Sequence, residues 1–441
     1  MPRVTLFNLV ASLLFLPGTN ASIEEPSISP TPPMGFNDWA RFMYNINESL
    51  FVETADAMVE KGLLAAGVHP MIRFNETLFP NGVKWLSQYL HFKGFHFGIY
   101  EDAGNATCGY PGTRGYGSQD AHTFESWGVD YLKFDGCNAG TDNNTNWYTV
   151  MDWVPLYGEL ARHNTDIAVY GLYPAEHYWQ SVMTNYGFEV LLVRYQQPGY
   201  YNDPDFIISD WPQFALWSSF SAPLIISAYV PMLTNDELEF LTNRYVIAID
   251  QDPLTLQATL VSQDVYFAIL SKDMVNGDRL LTVLNRGNKP NSTTVSVERV
   301  KDLWTGQVQG ITVDFTVTLN QHATGIYRIS GISGREVPTS MIFNTESPHC
   351  MTAYDSTISF TNCTGAEEQV WQMSSQRQVS ALSDLKLCLT EGSDDIVALQ
   401  ECQSRNNSQI WAYHVNGNII NSASEECLQE GGKDMGRCGW C

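Results

Sequence analysis

Basic residues are scarce in this 441-residue chain: 24 lysines and arginines stand against 48 aspartates and glutamates, a formal net charge of −24. Such a chain offers no basic face to a phosphate backbone, so nucleic acid is not expected as a partner and a neutral substrate is. Long apolar runs are missing beyond the first 21 residues. A membrane-spanning helix needs about 18 or more such residues, so no membrane association is expected. No glycine-rich phosphate cradle and no G-x-S-x-G elbow occurs, which argues against phosphoryl transfer and serine hydrolysis. His91/His96 and His163/His177 are poor matches to zinc-ligand spacing, so neither a metal nor a cofactor is expected. Cysteine is nearly absent from the first three hundred residues, where only Cys108 and Cys137 occur, while seven crowd into the last hundred.

What is present points outward. Residues 1–21 read as a secretory signal: Arg3, an apolar run from Val4 to Leu16, then small residues from Gly18 to Ala21. Eight N-x-S/T sequons, at Asn20, Asn47, Asn75, Asn105, Asn143, Asn291, Asn362 and Asn406, fit a secreted glycoprotein. Nine cysteines in that compartment imply disulfides with one thiol left over.

Three textures follow one another. From 22 to 258, β-rich runs alternate with helical ones such as Leu50–Ala66, Gly82–Lys93 and Asp120–Trp127. The runs Phe95–Asp102, Val129–Asp135, Asp166–Gly171, Val190–Tyr195 and Ala222–Ser227 read as buried parallel strands. The fold class is α/β, a parallel sheet with outer helices, and chemistry belongs at the strand C-termini. From 259 to 332 the pattern becomes antiparallel β, a sandwich, with Asn276-Gly277 expected as a type I′ hairpin turn. From 341 to 441 a motif repeats: Cys350, Cys388 and Cys427 recur at steps of 38 and 39, and Trp371 and Trp411 lie 40 apart. A period near forty in three copies signals a pseudo-threefold module with local disulfides Cys350–Cys363, Cys388–Cys402 and Cys427–Cys438, the third copy lacking a Gln-x-Trp.

In the stretch GVDYLKFDGCN a strand ends on one carboxylate, Asp135. Taken alone, such an aspartate is most often a cap or turn residue. Lys133, two residues earlier on the same face, favours the ionised form, and Cys137 could tie the next loop to Cys108. Two carboxyl groups across one bond are the requirement of glycoside hydrolysis, which is the chemistry these residues fit best, with weak specificity.

The segments TPPMGFNDWARF, FPNGVKWLSQYLHFKGFHFGIYEDAGNATCGYPG, DAHTFESWGVDYLKFDGCN, PGYYNDPDF and ALWSSFSAPLIISAYV…VIAIDQDPL together resemble glycoside hydrolase family 27, the retaining α-galactosidases. The cysteine-rich tail resembles the ricin-type β-trefoil lectins. The resemblance implies a (β/α)8-type barrel, then an antiparallel β domain and a partial β-trefoil. It implies Asp135 as nucleophile and Asp166, in RHNTDI, as acid/base. Arg162 is placed by it at the sugar 2-hydroxyl, Trp39 as a platform for the sugar's apolar face, and Tyr100, Lys133 and Asp205 around the pocket. The implied partners are α-galactoside carbohydrates, with polysaccharide binding through the trefoil.

Two family segments have no counterpart. The strand ending Asp-Asp-Cys-Trp, whose carboxylates hold the galactose 4- and 6-hydroxyls, is not found between Gly62 and Gly82, and the helix and strand that recognise the 2-position are not found between Asp135 and Met151. The barrel is therefore expected to lack two strands, through an incomplete coding sequence or natural degeneration. Three functions follow as expectations: a secreted α-galactosidase acting on galactosides, galacto-oligosaccharides and galactomannans, a catalytically inactive carbohydrate-binding homologue, or an α-N-acetylgalactosaminidase.

Overall fold

A computed structural model describes residues 29–64, 69–72, 77–106, 112–136, 154, 157–162, 165–168, 174, 176–190, 192–208, 211–263, 265–296, 299–302, 308–311, 314–329, 339–342, 349–362, 366–374, 376–393, 396–413, 419–430 and 435–436. The expected signal (1–21), Cys108, Cys137, Cys363 and Cys438 lie outside these residues.

The N-terminal part is a parallel wall. Strands β1 (Met34–Asn37), β2 (His69–Ile72), β3 (Gly98–Asp102), β4 (Tyr131–Asp135) and β7 (Leu224–Ile226) form one sheet in the order β4-β3-β2-β1-β7. A second parallel pair joins β5 (Leu160–Arg162) to β6 (Tyr201–Asp203). The chain just after β6 pairs with β7 through a parallel bridge between Ile207 and Ile226, which carries the wall onward to seven strands. Every pair in the five-stranded sheet is parallel, so the C-terminal ends with Asn37, Asp102 and Asp135 gather on one rim, and the parallel pair β5–β6 ends on Arg162 and Asp203.

The sequence reading needs correction at three places in this wall. The gap expected between the first helix and FPNG holds a strand: β2 pairs in parallel with β1 (Gly35↔His69) and β3 (Ile72↔Ile99). A four-residue strand with a proline in it carries too little alternation to be seen in sequence, and pairing on both sides supplies what propensity does not. The run Val190–Tyr195 is not a strand. Val190 is a turn residue closing the helix Glu176–Glu189 through its N–H to Tyr186 O (3.1 Å), and Val193–Tyr195 is a single 3-10 turn. The strand lies instead in Tyr201–Asp203, within the PGYYNDPDF segment that follows. The run Asp166–Gly171, expected as a strand, is irregular over its described part, Asp166–Ala168, and the strand precedes it at Leu160–Arg162. Short apolar runs cannot be assigned to helix or strand by periodicity.

The helices cover the outer face as their patterns dictate. Glu48–Glu60 is capped by Asn47, whose side chain accepts from Leu50 N, and buries Leu50, Phe51, Ala55 and Met58. Its buried Glu48 accepts from the backbone and side-chain nitrogens of Asn81 (3.0 and 2.7 Å), which ties the helix to the FPNG turn. Helix Trp211–Ser219 is buried from Gln213 to Ser219 because it lies between the wall and the following β unit. Ser219 Oγ and Thr282 Oγ1 are 2.6 Å apart across that junction, and Lys272 Nζ donates to Ser221 Oγ (2.6 Å) and Ile249 O (3.0 Å). Burial pulls Lys272 down to about 8.

The middle unit packs a six-stranded antiparallel sheet against the pair Asn291–Ser296 and Asp314–Leu319. Val317 from the pair meets Phe267, Leu281, Val283 and Tyr327 from the sheet in one core. The Asn276-Gly277 turn differs from expectation: Gly277 alone takes positive φ (81°), whereas type I′ needs it at both positions. The bonds Gly277 N→Met274 O and Met274 N→Asp278 O close a longer loop in which Gly277 supplies the left-handed residue.

The C-terminal unit shows its repeat in hydrogen bonds. Trp371 Nε1 donates to Met351 O, and Trp411 Nε1 donates to Leu389 O, both at 2.8 Å. Gln369 Nε2 donates to Thr352 Oγ1 (2.9 Å) and Asn362 O (2.9 Å), and Gln409 Nε2 to Thr390 Oγ1 (3.0 Å) and Glu401 O (3.0 Å). Each Gln-x-Trp thus locks its own repeat's first hairpin. Cys388 is bonded to Cys402 across 14 residues, and Cys350 and Cys427 are also disulfide-bonded. Closing a loop of that size contributes about 3 kcal/mol through the unfolded chain. Cys388→Ala with Cys402→Ala should therefore lower the unit's stability by about that much, read as a shift in its urea midpoint; an unchanged midpoint would count against the cross-link as a stabiliser.

Candidate active site

Tyr100 and Lys133 sit opposite each other in the β3–β4 register, and Asp102 sits opposite Asp135 two residues further along. Period-two alternation sends these four side chains to one face, while Leu132 and Phe134 emerge exposed on the other. The Tyr100 hydroxyl donates to Asp135 Oδ2 (2.8 Å), and the Gly136 backbone N–H donates to Oδ1 (2.8 Å). Burial pushes the Asp135 carboxyl up. The Tyr100 and Gly136 hydrogen bonds and the charges of Lys133 and Arg162 outweigh it and hold the group below the usual aspartate range. Asp135 is therefore an ionised carboxylate with both oxygens oriented.

Lys133 Nζ lies over the rings of Phe206 (4.7 Å) and Tyr100 (5.8 Å). Burial lowers its pKa, as does the neighbouring Arg162, against the pull of Asp205, Asp135 and Asp203.

Arg162 ends β5 opposite Asp203 at the end of β6. One guanidinium nitrogen pairs with Asp166 Oδ1 and the other lies 3.1 Å from Asp205 Oδ1. Asp205 and Asp166 hold its charge more firmly than burial opposes it. Asp166 is nearly half exposed. Asp205, read from sequence among the sugar contacts, is 1% exposed and turns both carboxylate oxygens to the protein: Oδ1 faces Arg162 in an ion pair (3.1 Å) without hydrogen-bond geometry, and Oδ2 accepts the N–H of Ile167 (2.7 Å).

Trp39 stands just past the end of β1 at the same rim, half-buried. Its N–H donates to Asn37 Oδ1 (2.9 Å) and its ring meets Tyr44 edge-on at 5.3 Å. The structure thus links Tyr100, Lys133, Asp135, Arg162, Asp166 and Asp205 through hydrogen bonds and charge, and sets Trp39 on the rim that Asp135 occupies. The supports of the NDPD turn escaped the sequence reading: Asn185 Nδ2 donates to Pro204 O (2.8 Å) and Trp217 Nε1 to Asp205 O (2.7 Å). Their distance in sequence left no local signal. Among the described residues no His, Cys, Asp and Glu group is arranged to hold a metal.

Asp203 is the site's buried acid. Burial, then the negative charge of Asp205, raises it to about 6 from 3.8, against the Asp205 N–H and the charges of Arg162 and Lys133. Between those two values the folded chain holds a proton that the unfolded chain has lost. The stabilisation is full below pH 4 and disappears as pH rises through 6. Asp203→Asn should therefore gain on the parent by up to about 3 kcal/mol between pH 4 and pH 7. Urea melts at both pH values measure this; a pH-independent difference would refute it.

The comparisons with known proteins fit this geometry. A family profile for α-galactosidase A matches residues 69–187, one for the α-galactosidase C-terminal β-sandwich matches 264–329, and one for the ricin-type β-trefoil lectin domain matches 338–438. The α-galactosidase A of Aspergillus niger is 45% identical, over 95% of this chain and 91% of its own. The chain belongs to the α-galactosidase family. A more distant member of this α-galactosidase family, from Cyamopsis tetragonoloba, is 28% identical over 69% of this chain and 87% of its own. Among solved structures, α-galactosidase I of Mortierella vinacea matches with a TM-score of 0.59 at 21% identity, covering 70% of this chain and all but 2% of that one (98%). The Saccharomyces cerevisiae α-galactosidase with raffinose matches with a TM-score of 0.61 at 20% identity, covering 70% and 99%. The fold shared with this family is the (β/α)-barrel followed by an antiparallel β unit.

Proposed function

We propose that this chain is a secreted retaining α-galactosidase that removes terminal α-galactosyl residues from oligosaccharides and galactomannans, and that its trefoil binds polysaccharide. The observation that carries the reading is the ionised Asp135, joined through the field of Arg162 to the half-exposed carboxylate of Asp166. In the first half-reaction a carboxylate oxygen of Asp135 attacks the anomeric carbon while Asp166 gives its proton to the departing glycosidic oxygen. The product is a galactosyl ester on Asp135 and a free alcohol. In the second, Asp166, now ionised, takes a proton from water as its oxygen attacks the same carbon, and the Asp135 ester bond breaks. Two inversions return the α configuration.

Tyr100 and Gly136 keep the Asp135 oxygens aimed, and Lys133 and Arg162 offset its charge and face the sugar hydroxyls. Strand β2 contains no carboxylate, since it reads His69-Pro70-Met71-Ile72, so the 4- and 6-hydroxyls must be recognised by other groups. The test is hydrolysis of p-nitrophenyl α-galactoside beside p-nitrophenyl α-N-acetylgalactosaminide, with the first-formed anomer followed by proton NMR. Turnover of the galactoside with α-galactose appearing first is expected. Preference for the N-acetyl substrate would reassign the substrate, β-galactose would overturn the mechanism, and sugar-column retention without turnover would make the chain a binding protein.

A further inference from the structure

Asp166 lies a few residues past Arg162, the last residue of β5, and the described residues around it, 165–168, have no regular structure. An exposed carboxylate on such a segment samples many positions unless something fixes the backbone beneath it, and a general acid displaced by an ångström loses much of its effect. We propose that Asp205 is the positioning residue of this acid/base segment, one buried carboxylate that grips it on both sides of Asp166. This rests on the reading of Asp166 as acid/base.

The grip is two-handed. Oδ1 of Asp205 forms an ion pair with one nitrogen of the Arg162 guanidinium (3.1 Å), held by charge and not by a hydrogen bond, and the other nitrogen pairs with Asp166. Oδ2 accepts the N–H of Ile167 (2.7 Å), the residue after Asp166. A guanidinium and a backbone amide four and one residues away from the acid are thereby fixed to one point.

That point is itself immobile. Asp205 has φ of 79°, a left-handed conformation that aspartate tolerates better than most residues but only at some cost. Its N–H is held by Asp203 Oδ1 (2.8 Å), its carbonyl by the indole of the fully buried Trp217 (2.7 Å), and the preceding carbonyl by Asn185 (2.8 Å). Three contacts from separate elements hold the strained turn, and the strain aims the carboxylate back across the wall from β6 towards β5. With 1% of its surface exposed, Asp205 acts on the reaction through Asp166 and Arg162 rather than on the sugar.

Positioning of a general acid has a readout that a merely structural role lacks. Protonation matters greatly for a poor leaving group and little for a good one. Asp205→Asn keeps the shape, the φ preference and an acceptor for Ile167, and removes the charge that holds Arg162; Asp205→Glu keeps the charge and displaces both contacts. For each, kcat/KM is measured on phenyl and 2,4-dinitrophenyl α-galactoside, with thermal melts alongside. The expected result is a loss of about a hundredfold on the phenyl substrate and less than tenfold on the dinitrophenyl one. In an Asp166→Asn background the further loss from Asp205→Asn on the phenyl substrate should be under threefold. Equal losses on both substrates, no loss, or failure of both variants to fold would overturn the positioning role and leave the α-galactosidase reading intact. A parent chain that cleaves neither substrate would remove that reading and this inference with it.

Discussion

Asp135→Asn should abolish turnover of p-nitrophenyl α-galactoside, with kcat/KM falling by about 10⁴-fold or more, as when the nucleophile of a concerted catalytic group is deleted. The physical argument lies in the electrostatics of β4. The strand delivers one carboxylate to a half-buried rim where desolvation pushes its pKa up, and Tyr100, Gly136, Lys133 and Arg162 more than offset that push. An amide occupies the same space and can still accept from Tyr100 and Gly136, so the fold should be retained. What it lacks is the negative charge needed to form the ester. Kinetics of the purified variant, with galactose affinity by calorimetry, separate the two effects. A variant within tenfold of the parent would show that Asp135 does not form the ester.

Much of this site was legible because the strand that ends in Asp135 reads clearly. Val129 to Asp135 is apolar and alternating, bounded by Gly128 and Gly136, and β3 before it has the same character, so two of the catalytic elements stand out. β5 and β6 did not, since three-residue strands in Leu160–Arg162 and Tyr201–Asp203 carry no period to detect. β6 is also held by Asn202, whose buried side chain donates to Leu192 O (2.8 Å) and to Gln257 Oε1 (2.7 Å), the second 55 residues away in sequence. β2 was invisible for a related reason. His69-Pro70-Met71-Ile72 is a strand because β1 and β3 flank it, and no local feature of those four residues says so. The role of Asp205 shows a different limit. Its membership of the site could be read from NDPDF, whereas its direction depends on a positive φ enforced by Trp217 and Asn185, and such tertiary enforcement leaves no mark on the local pattern.

The trefoil repeat, by contrast, was readable from spacing alone, because each copy spends the same residues on the same bonds. Trp411 is fully buried among Met351, Leu389, Val397 and Leu399, and its indole N–H is satisfied by Leu389 O. Trp411→Ala would remove one of the two tryptophans of that core, leave a cavity and take the indole partner from Leu389 O. Deletion of a core tryptophan costs about 3–5 kcal/mol, a large share of what a unit of about a hundred residues has in total. The variant should lose the C-terminal unit's transition in a chemical melt, and its polysaccharide retention with it, while p-nitrophenyl α-galactoside hydrolysis stays within twofold of the parent, because Trp411 belongs to a core separate from the one that packs β1, β3 and β7. Loss of hydrolysis in proportion to the destabilisation would instead mean that the trefoil and the barrel unfold as one cooperative body, and that the lectin module is part of what keeps the catalytic rim in shape.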